Sequence, residues 1–147
     1  MATTAAINIT SDIMPGFGGY YKTMTLTQAG TITDIEETTG FSRRKLAATT
    51  AVDLITMADA SLLLETDDNT AAKVYIKNIG NGRNAADKTT YVTVSIGDTG
   101  GTTQEVGRLY GNDWLLMPVS GVDDMDVVVA PSTNDAVVLE YVMFFEV

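Results

Sequence analysis

Apolar and polar residues alternate with a period of two through most of the chain from Ala72 to Glu146. In Thr90 to Ile96, Val92, Val94 and Ile96 fall on one side and Tyr91, Thr93 and Ser95 on the other. That spacing is the signature of a strand buried on one face. Val137, Leu139, Tyr141, Met143 and Phe145 repeat it opposite Glu140 and Glu146, and Val74 and Ile76 repeat it opposite Lys73, Tyr75 and Lys77. A core of Val74, Ile76, Val92, Val94, Ile96, Leu139, Tyr141 and Met143 is expected. Trp114 to Val119 is apolar without alternation, which fits a strand covered on both faces or a short buried segment whose Pro118 marks a sheet edge. Turn residues separate the runs at Gly80-Asn81-Gly82, Gly97 to Gly101, Gly111-Asn112-Asp113 and Pro131 to Asp135. Short strands joined by short turns predict an all-β chain, an antiparallel β-sandwich or jelly roll.

The N-terminal third reads differently. Residues 1–19 are mostly Ala, Thr and Gly with scattered Ile, too few large apolar groups to form a core of their own. Tyr20 to Thr27 alternates as one strand, with Met24 and Leu26 opposing Thr23, Thr25 and Thr27. Ala29 to Thr50 is polar and irregular, with a short helix expected around Ser42 to Ala48. Val52 to Met57 and Leu62 to Glu65 are further strand candidates. The expected organisation is therefore an extended N-terminal arm over residues 1–50, held by its own sandwich or by a neighbouring chain, and a β-sandwich body over residues 51–147.

Charge sharpens this division. The chain has 147 residues, no histidine, no cysteine and a net charge of -10. Residues 1–50 balance Lys22, Arg43, Arg44 and Lys45 against Asp12, Asp34, Glu36 and Glu37, so the whole acidic excess lies in residues 51–147. An acidic body repels phosphates and anionic headgroups, which argues against nucleic acid or membrane as partner. No apolar run approaches the ~20 residues of a membrane span, and the first residues lack the basic and apolar regions of a secretion signal.

Candidate chemistry is sparse. Without His or Cys the usual zinc sites, Ser-His-Asp triads and cysteine nucleophiles are excluded. Two acidic clusters, Asp67 with Asp68 and Asp123 and Asp124 with Asp126, are candidates for a calcium ion or a glycosidase pair, but they lack the alternating spacing of a calcium loop and the larger cleft-bearing scaffold of a glycosidase, and read as solvated loop acids. Pro15 to Gly19 has neither the preceding strand nor the closing Gly-Lys-Ser/Thr of a phosphate loop. Arg43-Arg44-Lys45 is the one basic cluster, suited to an acidic patch on a partner or to an exposed turn. Asn8-Ile9-Thr10 is a glycosylation sequon, too common a pattern to use alone. Trp114, inside an apolar run, is expected in the core; exposed, it would serve as a sugar-stacking platform. No catalytic, cofactor-binding or metal-ligating residue is assigned.

Four segments in order are Lys73 to Asn78, Tyr91 to Gly97, Gly107-Arg108-Leu109-Tyr110-Gly111-Asn112-Asp113-Trp114, and Val138 to Glu146. Together they resemble small virion structural proteins of tailed bacteriophages, most of all the capsid decoration (cement) proteins of marine phages. The resemblance covers about half the chain and implies a non-enzymatic protein without cofactors. It would be made in the host cytoplasm and located on the capsid surface, where it binds the major capsid protein, contacts its own copies or forms a homo-oligomer, and bridges capsomers. The alternatives are a tail, neck or fibre component, and a carbohydrate-binding module built on Trp114, Tyr20, Tyr21 and Tyr110.

Overall fold

In the computed structural model, the alternating runs become strands of two antiparallel sheets packed face to face. The structure describes residues 4–9, 19–26, 37–57, 71–80, 90–120, 125–134 and 136–145. Eleven strands are described: β1 Thr4–Ile9, β2 Tyr20–Thr25, β3 Glu37–Thr38, β4 Ser42–Leu46, β5 Val52–Ile55, β6 Ala71–Asn78, β7 Tyr91–Gly97, β8 Thr103–Tyr110, β9 Trp114–Ser120, β10 Val127–Pro131 and β11 Val137–Phe145. Sheet I has the order β5-β10-β7-β8. In sheet II the order is β3-β11-β6-β9, with β4 also on β11. β1 and β2 form a separate antiparallel hairpin.

The facing surfaces make one core. Val92, Val94, Val127 and Val129 come from sheet I, and Val74, Ile76, Val137, Leu139 and Met143 from sheet II; all are fully buried. The alternation in β6 holds without exception over the residues whose burial is described: Ala72, Val74, Ile76 and Asn78 face in, while Lys73, Tyr75 and Lys77 face out. In β7 the orientations also alternate, with Val94 and Ile96 opposite the core residues Val129 and Val127 and Ser95 opposite Val128, although Ile96 is only partly buried and Ser95 is buried on the other face. The register against β8 shifts between Val94 and Ser95 and leaves Val106 as the extra residue of β8, a bulge that inserts one residue into one strand of a pair.

Of the segment expected to be helical at Ser42 to Ala48, Ser42–Leu46 is a strand. β4 runs antiparallel to β11, pairing Leu46 with Val137 and Ser42 with Tyr141. Its own alternation is polar outside and mixed inside, with Leu46 in the core. Tertiary pairing against β11, the longest of the described strands, overrides a weak local preference for helix. β3 and β4 form one edge of sheet II, interrupted at Thr39 and Gly40. There Gly40 takes φ +72°, and Thr39 exchanges hydrogen bonds with Met143, its N–H to the Met143 carbonyl and its hydroxyl from the Met143 N–H, both at 3.0 Å. Part of the 1–50 segment is thus sheet of the sandwich. The strand expected at Leu62 to Glu65 lies outside the described residues.

Two buried polar groups close the ends of the core. Asn78, 1% exposed, donates from Nδ2 to the Leu109 carbonyl at 3.1 Å and accepts from the Gly80 N–H at 3.2 Å, so it ties sheet II to sheet I beside the β8–β9 corner. Asp126 accepts the Met57 N–H at 2.7 Å and is buried. It is not the solvated loop acid expected from sequence, because its carboxylate serves a backbone donor at the end of β5. Asp67, Asp68, Asp123 and Asp124 lie outside the described residues.

Candidate functional site

The outer face of sheet II is the chemically distinctive surface. Strand register arranges it in rows. Arg43, Glu140, Lys77 and Trp114 lie side by side across β4, β11, β6 and β9, and Val142, Tyr75 and Leu116 form the next row. Phe144, Lys73 and Pro118 make a third. Phe41 leads into β4 and meets Tyr75 edge-on, ring centroids 6.1 Å apart at 80°, and Tyr75 lies 6.3 Å from Trp114. Three aromatic rings therefore run across the face, an arrangement aromatic pairs favour.

Trp114 is 52% exposed and Phe41 70% exposed. The expectation that Trp114 is core is corrected: β9 is an edge strand, its inward residues are Leu115, Met117 and Val119, and Trp114 falls on the other phase. Pro118 is exposed on that same edge strand, where a residue without an N–H is tolerated. The Trp114 run lacks alternation because its outward positions are apolar too.

The β1–β2 hairpin approaches this face. Between it and sheet II lies a cleft of about 390 Å³, lined by Thr4 to Ile7 and Leu26 on one side and by Phe41, Tyr75, Trp114, Val142 and their neighbours on the other. Leu26 is nearly buried there. Burial raises the Tyr75 hydroxyl pKa above its usual value, and the neighbouring Glu140 carboxylate raises it further.

The basic cluster divides between two faces. Arg43 pairs with Glu140 at 2.9 Å on the outer face, and Lys45 is exposed on the same phase of β4. Arg44 points the other way and donates to the Asp53 carbonyl, bridging the open edge between β4 and β5. Asp53 in turn accepts the Thr99 hydroxyl at 3.1 Å. The cluster is therefore not one exposed turn.

The four aromatics considered for a sugar platform do not converge. Tyr110 packs against Tyr91 with ring centroids 5.4 Å apart on the outer face of sheet I, where Arg108 lies 4.9 Å over the Tyr91 ring. Trp114 is on the outer face of sheet II, and Tyr20 and Tyr21 point to opposite sides of the hairpin. Val142, Phe144, Leu116 and Phe41 were missed by sequence reasoning. A signal was present, since Val138, Val142 and Phe144 share the phase assigned to Glu140 and make that side of β11 largely apolar. Among the described residues no group of three or more Asp and Glu side chains is arranged to hold a metal ion, and no helix is long and apolar enough to cross a membrane.

No protein-family model and no curated protein matches the chain. A structural likeness is found to a chain of the Bacillus endospore appendages, described as a family of disulfide-linked pili. It has 15% identity and a TM-score of 0.41, covering 80% of this chain and 97% of that one. A likeness of that size carries no inference about function, and it is to a pilus protein rather than to a phage head protein.

Proposed function

We propose that the protein is a non-enzymatic structural component of a phage virion that decorates the outside of the capsid and stabilises it by bridging capsomers. The observation that carries this reading is the outer face of sheet II, where the exposed Phe41 and Trp114 flank the half-buried Tyr75 in one aromatic row. Exposed aromatic and aliphatic side chains in one patch are the usual mark of a protein interaction surface. The resemblance to decoration proteins supplies the partner, the major capsid protein. Each copy need contribute only a small free energy, because many copies act together on one shell.

Particles assembled with and without this protein test the reading. Decorated heads should carry copies in proportion to their capsomers and should resist heat better than bare heads. Recovery of the protein with tails, in the few copies set by a closed ring, would place it there instead. Glycan binding without head binding would support the carbohydrate module.

A further inference from the structure

We propose that the β1–β2 hairpin is an exchangeable clip: the outer face of sheet II that receives this chain's own hairpin also receives the hairpin of a second copy, linking copies to one another. The inference concerns the isolated protein and does not depend on the capsid reading.

Four observations carry it. First, the described contacts within β1 and β2 are their own ladder and the Thr23–Tyr21 hydrogen bond, and the described contact of residues 4–9 and 19–26 with sheet II is the mainly apolar cleft. A two-stranded hairpin is marginal in water by itself, so the face beneath supplies its support. Second, the seat within one chain is incomplete. Ile9, Tyr20 and Met24 share one side of the hairpin by register and remain 50%, 48% and 39% exposed, and the cleft of about 390 Å³ stays open. Third, ten residues separate Leu26 from Glu37, a length whose contour limit is roughly 35 Å. That exceeds the ~10 Å between packed sheets, so the hairpin can make the same contacts on a neighbour. Exchange of an identical element needs no new complementarity, which makes it a low-cost route to association.

Fourth, charge favours this element over others as the link. Lys22 is the only charged residue within β1 and β2, whereas each copy carries a net charge of -10. Docking of other acidic surfaces sets like charges against each other; a nearly neutral hairpin avoids that repulsion. The occupant is a second copy because, among the described residues, the hairpin is the element seated on this face.

The chain has no cysteine, which permits a direct test. Two full-length single-cysteine variants, Ala5→Cys on the hairpin and Leu116→Cys on sheet II, are refolded together from urea and oxidised. Neither can cross-link within one chain. Exchange predicts a disulfide-linked heterodimer in severalfold excess over the pairing of Ala5→Cys with Thr99→Cys, a position on the exposed β7–β8 turn. A yield no greater than that control overturns the proposal. Sedimentation of the unmodified chain over about a hundredfold range of concentration needs no variant. A shift from monomer to dimer or larger species is expected, and a monomer throughout overturns the proposal even if a cysteine disturbs the fold.

Discussion

Replacing Asn78 tests whether the two sheets are fastened as described. Its side chain is 1% exposed, and its Nδ2 donates to Leu109 of sheet I while its own strand belongs to sheet II. Asn78→Ala removes that donor, and loss of a buried hydrogen-bond partner costs about 1–3 kcal/mol. The Gly80 N–H keeps its second acceptor, the Val138 carbonyl at 3.1 Å, so it adds little. The vacated space is about one water, roughly 30 Å³, worth ~0.7 kcal/mol at ~24 cal/mol per Å³ of unfilled cavity. Together these give a loss of about 2–4 kcal/mol. Asn78→Asp keeps the volume but, when ionised, cannot donate and buries a charge. Burial raises the folded-state pKa of that carboxyl above its unfolded value of about 3.9. The penalty of the Asp variant is therefore smallest below that value, where both states are protonated, and grows as pH rises above it. Urea unfolding followed by Trp114, the sole tryptophan, is a suitable assay because β9 starts beside Asp113, whose carbonyl accepts the Asn78 N–H at 3.0 Å. If Asn78→Ala unfolds at the parent midpoint with the parent slope, the tie between sheets is not closed and the reasoning is wrong.

Three other outcomes rest on separate parts of the fold. Gly97 has φ +131°, and a Cβ there would lie 2.3 Å from the Thr102 carbonyl oxygen; Gly97→Ala should cost about 1–3 kcal/mol or more, measured by urea midpoint, while Gly107→Ala, with open space around its Cβ, should cost much less. The raised pKa of Tyr75 means that stability is unaffected while both states stay protonated and falls as pH rises from the unfolded value of about 10 towards the folded one; Tyr75→Phe should remove that part of the alkaline loss in melts across a pH series, and an unchanged loss counts against the assignment. Asp126→Ala should destabilise by about 1–3 kcal/mol through the stranded Met57 N–H, while a chelator should leave the parent's melting temperature unchanged; a fall on chelation that calcium reverses would put an ion at Asp123, Asp124 and Asp126.

The inward face of each long strand was legible because burial on one side imposes a period the sequence must keep. Val74 with Ile76 and Val137 with Leu139 are read from spacing alone and lie at 0% exposure. What spacing could not show is where pairing slips and which outward positions are covered. β8 carries Val106 as an extra residue between the partners of Val94 and Ser95, a feature of two strands rather than one, and Ser95 is buried on the outward phase beside Val128 while Ile96 keeps its place against the core. β4 was illegible for a related reason, since Ser42-Arg43-Arg44-Lys45-Leu46 has only one large apolar residue and takes its strand form from β11. Trp114 was misplaced because apolarity was equated with burial, although a folded protein leaves much apolar surface in contact with water.

Charge shows the same difference between sequence and space. Along the chain, the acidic excess divides at residue 50. Among the described residues, Arg43 and Lys45 on β4 and Lys73 and Lys77 on β6 gather on the outward phase of sheet II with Glu140 among them. Four of nine basic residues thus border the aromatic row of a protein whose net charge is -10. Two acidic bodies approaching at random repel, and the four cations lessen that repulsion where this face leads. Fields of this kind act on orientation and encounter more than on final affinity, and they weaken once charges lie farther apart than about 8–10 Å at ordinary salt. The apolar row and the hairpin must then supply the lasting contact, which is why the basic residues border the aromatic rings instead of replacing them.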